Sequence, residues 1–81
     1  MDTRRFEVWL NQSERLSDRS AKDVVCRVRR ASHFISIDSK METVDLLHKM
    51  NKAEEFKILS TAVRSQLRRA VKLYRKYRGD A

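Results

Sequence analysis

Residues 60–79 read STAVRSQLRRAVKLYRKYRG, and this stretch decides the fold. Ser60 is a good N-cap residue, and Gly79 stands where a left-handed residue closes a helix. The residues between them predict one helix from Thr61 to Arg78, about 27 Å long at 1.5 Å per residue. At about 100° per residue, Val63, Leu67, Ala70, Tyr74 and Tyr77 share one face, flanked by Val71 and Leu73. Arg64, Arg68, Lys72 and Arg75 fall together on the opposite side, and Arg69 and Lys76 continue that patch. The stretch holds seven basic residues and no acid. A solvated helix usually interleaves glutamates, because like charges a turn apart repel by a few tenths of a kcal/mol, about 0.2–0.5 per pair. Uncompensated charge of this kind points to a polyanion as partner, against the plainer reading of a basic solvated face.

Working outward, the chain has 81 residues, room for one small domain spanning 1–81. It is 41% apolar and 37% charged, too apolar for a disordered chain and too charged for a membrane protein. No apolar run approaches the roughly 18 residues of a spanning helix, and no signal-peptide pattern opens the chain. Proline is absent and Gly79 is the one glycine. Hairpin turns lean on such residues, so an all-α fold is expected. Cys26 is the single cysteine, which excludes an internal disulfide and suits a reducing cytoplasm.

The rest of the chain carries three further helical patterns and one short one. The first covers Thr3 to Ser13, with Phe6, Trp9, Leu10 and Ser13 at helical spacing and Asp2 or Thr3 as cap. A turn at 14–17 leads to Ser17 as the next N-cap. The second helix is expected from Asp18 to Ile35, with Ala21, Val24, Val28, Ala31 and Ile35 as its apolar stripe and Lys22, Cys26, Arg29 and His33 opposite. Ser39-Lys40-Met41-Glu42 reads as a capping box that opens a third helix, Lys40 to Met50, packed through Met41, Val44, Leu47 and Met50. A break near Asn51 precedes a short helix over 53–58, anchored by Phe56 and Leu59.

Charge is distributed unevenly over these segments. Net charge is +8, with residues 19–35 at +4 and residues 60–78 at +7, while residues 1–18 and 36–59 each carry −1 and Asp80 the last −1. The positive charge therefore sits on the second and last helices. Arginine dominates over lysine on both, and its planar fork matches phosphate oxygens and guanine edges better than an ammonium does.

The order of landmarks resembles a known family. Phe6-x-x-Trp9-Leu10, then Leu16-Ser17-Asp18-Arg19-Ser20 opening the second helix, then Arg69-Ala70-Val71-Lys72-Leu73-Tyr74-Arg75-Lys76-Tyr77 in the last, look like the N-terminal core-binding domain of tyrosine recombinases, the phage-type integrases. The resemblance runs from Phe6 to Tyr77. It departs from the family where Val24 or Val25 stands in place of a common tyrosine. It implies a compact, SAM-like bundle of four to five helices acting as a non-catalytic DNA-binding module. It also implies a C-terminal catalytic domain in the parent chain, where the family's nucleophilic tyrosine resides. On this resemblance Arg19, Lys22 and Arg29 of the second helix and Arg64, Arg68, Arg69, Lys72, Arg75 and Lys76 of the last would clamp double-stranded DNA. Tyr74 and Tyr77 belong to the apolar stripe and are expected in the core, as are Phe6 and Trp9.

No catalytic constellation is legible, so an enzyme is not expected from these residues. Cys26 and His33 offer two metal ligands where a closed zinc site needs about four. His48 falls on another helix, Glu54-Glu55 reads as a solvated pair, and no glycine loop cradles phosphate. No cofactor or metal is expected, and the domain should be a monomer. Two other readings stand beside the recombinase module: a small free-standing DNA-binding regulator, and a basic interaction module docking on an acidic protein or an anionic membrane surface.

Overall fold

The computed structural model describes residues 2–79, and α1 (Thr3–Ser13), α2 (Asp18–Ala31), α3 (Thr43–Lys52), α4 (Glu54–Lys57) and α5 (Thr61–Arg78) follow one another along it, with no strand among the described residues. The fold is an all-α bundle. Three of the helices start where the caps are written in the sequence. The Asp2 side chain accepts from the Arg5 N–H, Ser17 from the Ser20 N–H, and Ser60 from the Val63 N–H. Each cap satisfies one of the donors that a helix start leaves open. Gly79 closes α5 at φ 84°, a left-handed conformation that glycine adopts without steric cost, and its N–H returns to the Arg75 and Lys76 carbonyls.

Between α1 and α2 the chain reverses in a few residues. Arg15 carries the turn at φ 55°. The Leu16 N–H reaches the Leu10 carbonyl at 3.1 Å, and Asn11 Nδ2 donates to the Leu16 carbonyl at 2.9 Å. These bonds fold the turn onto the end of α1, and Ser17 then starts α2 beside it.

The core is built on α2, which packs most extensively on α5 and then on α1. Ala21, Val24, Val25, Val28 and Ala31 of α2 are buried against Phe6 and Leu10 of α1 and Leu67, Ala70, Val71 and Tyr74 of α5. Leu46, Leu47 and Met50 of α3 and Phe56 of α4 close the other side. An aromatic cluster ties the first helix to the last: Phe6 lies 5.3 Å from Tyr74 and 5.2 Å from Tyr77, and Trp9 lies 5.5 Å from Tyr77, between ring centroids. Tyr74 and Tyr77 are thus packing residues, as the apolar stripe predicts. A Cα radius of gyration of 12.1 Å is close to the roughly 12 Å expected of a compact chain this long.

Several expected boundaries are corrected: α3 runs on through Asn51 to Lys52 and breaks at Ala53, α4 is confined to 54–57, and two larger shifts have a clear cause. α2 ends at Ala31 instead of Ile35, because the Ser32 hydroxyl donates to the Arg29 carbonyl and competes with the helical pattern. Residues 32–34 form turns, although Ile35 still lands in the core. The capping box at Ser39 does not form. α3 starts three residues later than expected, at Thr43, with Glu42 as its cap and no side-chain cap bond. Of the expected stripe, Leu47 and Met50 are buried, whereas Met41 and Val44 face solvent, Val44 at 67% exposure. Leu46 takes the inward place instead. What holds residues 37–42 out of the helix is an arginine from α5.

Candidate nucleic-acid interface

That arginine is Arg75. Sequence periodicity places it with Arg68 and Lys72 on the outer face, but it is 1% exposed, and its assignment to a DNA-facing surface is corrected. Its Nη1 donates to the carbonyls of Ile37 at 2.9 Å and Ser39 at 2.8 Å, its Nη2 to the Met41 carbonyl, and its Nε to Thr43 Oγ1 at 3.4 Å. The guanidinium therefore gathers a connection that has no secondary structure of its own. Carbonyls engaged this way hold residues 37–41 in irregular backbone, which is why no helix starts at Lys40. The helical wheel misses this because Arg75 sits about a quarter turn from the core centre, on a flank that only the fold covers.

Next to it, Tyr74 Oη donates to Asp38 Oδ1 at 2.5 Å, and Arg78 pairs with the same carboxylate at 3.2 Å while lying over the Tyr74 ring. Burial, reinforced by the hydrogen bond to Asp38 and its negative charge, pushes the Tyr74 phenol up to about 12. Tyr74, Arg75 and Arg78 of the last turns of α5 thus hold the α2–α3 connection.

The remaining expected site residues divide by how they are held. On α2, Arg19, Lys22 and Arg29 are exposed as expected. Lys22 lines a shallow groove between α1 and α2 together with Arg4, Glu7, Val8, Asn11 and Asp18. Two carboxylates share that groove, so its charge is mixed. Arg30 is exposed as well and was missing from the expected set. The signal was present, since at 100° per residue Arg30 projects opposite the Val24 and Val28 stripe.

On α5, Arg69 and Lys72 are exposed. Lys76 is exposed too, but its Nζ pairs with Glu14 Oε2 at 2.9 Å, bracing α5 against the α1–α2 turn. Arg64 and Arg68 are half-buried. Arg64 Nη2 donates to Thr61 Oγ1 at 3.3 Å. Arg68 Nη1 donates to Asn51 Oδ1 at 3.1 Å and Nη2 to Ser65 Oγ at 3.4 Å, with the guanidinium 5.7 Å from the Phe56 ring centre.

Cys26 is exposed, and no group of three or more metal-ligating side chains forms among the described residues. No described helix is long and apolar enough to cross a membrane. Compared with known proteins, the chain matches no family model, and no curated protein or solved structure matches it significantly.

Proposed function

We propose that the bundle is a non-catalytic DNA-binding module that grips the phosphates of double-stranded DNA. The observation that carries this reading is the set of solvent-facing cations on two helices packed against each other. Arg19, Lys22, Arg29 and Arg30 project from α2, and Arg69 and Lys72 from an α5 that contains no acidic residue. Phosphate neutralisation with release of counterions is the binding term such cations supply. Arg75 is withdrawn from the contact set, and Lys76 contributes only if it leaves Glu14.

The resemblance to tyrosine recombinase core-binding domains supplies the finer part of the proposal. On it, the module clamps one face of a recombination site in the cytoplasm, as a monomer, with catalysis left to a partner domain of the parent chain. A membrane-surface role is disfavoured by packing, because the apolar face of α5 is spent on the core through Leu67, Ala70, Val71 and Tyr74.

A binding titration on duplex DNA at several salt concentrations tests the proposal. With about five or six phosphates contacted, log K should fall against log salt with a slope near −5. Absence of binding at low salt sinks it.

A further inference from the structure

Among the exposed and half-exposed cations, Arg68 and Arg78 are each held by another segment and a ring, but Arg78 serves the α2–α3 connection through Ile37 and Asp38 whereas Arg68 spans α5, α3 and α4. Its fork is fixed at three points from three elements: Ser65 on its own helix, Asn51 on α3 and the Phe56 ring on α4. A guanidinium carries five N–H donors in a rigid plane, and these bonds engage two of them. Phosphate contacts do not require such fixing, since a mobile cation serves a diffuse charge. Reading a base does require it, because two donors must meet two acceptors in one plane. Asn51 accepts on one side, Ser65 on the other, and the ring sits against the guanidinium, so the plane of the fork is set before any ligand arrives. Arg69, its neighbour in sequence, and Lys72, a turn on, are exposed instead.

We infer that Arg68 is a specificity-determining residue that reads a guanine edge in the major groove, with Asn51 and Ser65 as its positioning residues. This inference rests on the DNA-binding reading above and adds to it a base-specific contact. A guanidinium held in this way loses less side-chain freedom on binding than a free one. Lysine at the same position would keep the charge and lose the planar pair of donors.

The test is selection from a randomised duplex library with the 81-residue chain and its variants. The wild type should enrich guanine at one position. Arg68→Lys should reduce that preference about tenfold or more while leaving the salt slope unchanged. Asn51→Ala should weaken the preference severalfold, again with the slope unchanged, which a purely structural bond would not do. Arg69→Ala should lower affinity for all sequences alike. Duplex binding with no base preference, or a guanine preference that survives Arg68→Lys, overturns the inference and leaves the phosphate-binding reading standing. No duplex binding at low salt removes both.

Discussion

The middle and the last turn of α5 are written in the same alphabet and do opposite things. Arg69 and Lys72 face solvent, whereas Tyr74, Arg75 and Arg78, one turn later, hold the α2–α3 connection through Ile37, Asp38, Ser39 and Met41. A run of basic residues is therefore not one surface. Its chemistry depends on what the rest of the chain lays beside each turn. Backbone carbonyls with no helix or strand to satisfy them need donors, and a buried arginine supplies several at once.

The sharpest way to break this contrast is Arg75→Ala. Its removal leaves buried carbonyls without their donor, and we expect a loss of about 3 kcal/mol. That is a large part of the roughly 4–12 kcal/mol expected for a domain of this size. Urea denaturation followed by circular dichroism reads it. Arg75→Met should lose nearly as much, because an apolar side chain of similar length fills the space without donating. Unchanged stability in both variants, with DNA affinity reduced, would return Arg75 to the outer surface.

The second effect is alkaline. The Tyr74 phenol is raised from 10.0 to about 12, so the fold prefers the protonated form. Its contribution is full below pH 10, the value in the unfolded chain, and is lost as pH rises from 10 towards 12. At 1.36 kcal/mol per pKa unit, up to about 2–3 kcal/mol is at stake. Tyr74→Phe should cost about 1 kcal/mol at neutral pH and should remove this component of the alkaline decline, read as the difference between the two stability curves. Parallel curves would mean that neither burial nor Asp38 raises the phenol in the folded state.

Smaller still is the expected stability change in the middle of the helix. Arg69→Ala and Lys72→Ala should each leave stability within about 0.5 kcal/mol of wild type. Each should lower duplex affinity at low salt and reduce the salt slope by about 1. Stability losses comparable to Arg75→Ala would erase the difference between the two regions. The smallest change is expected at the brace between α5 and the α1–α2 turn. Lys76→Ala breaks a pair between an exposed lysine and a half-buried Glu14 and should cost about 0.5 kcal/mol in a melting measurement.

Much of the fold was legible in local patterns. Ser17, Ser60 and Gly79 marked helix ends correctly, because capping is chemistry between residues a few positions apart. The stripes of α1, α2 and α5 named most of the core for the same reason: helical period is a property of neighbours. The Ser39 capping box failed although its residues were right, since the Ser36 carbonyl took the Ser39 N–H that Glu42 would have capped and Arg75, 36 positions away, took the carbonyl of the first helical bond. Arg30 could have been placed by the same wheel that placed Arg29. The fixing of Arg68 by Asn51 and Phe56 could not, because it joins residues from three helices.

By itself, the sequence determined an all-helical chain, its caps, its apolar faces and the concentration of positive charge on two helices, all of them consequences of spacing along one backbone. Only the tertiary structure decided which cations remain at the surface. A guanidinium is long enough to leave its own helix and strong enough as a donor to organise someone else's carbonyls, so its role is set by whatever the fold brings within reach.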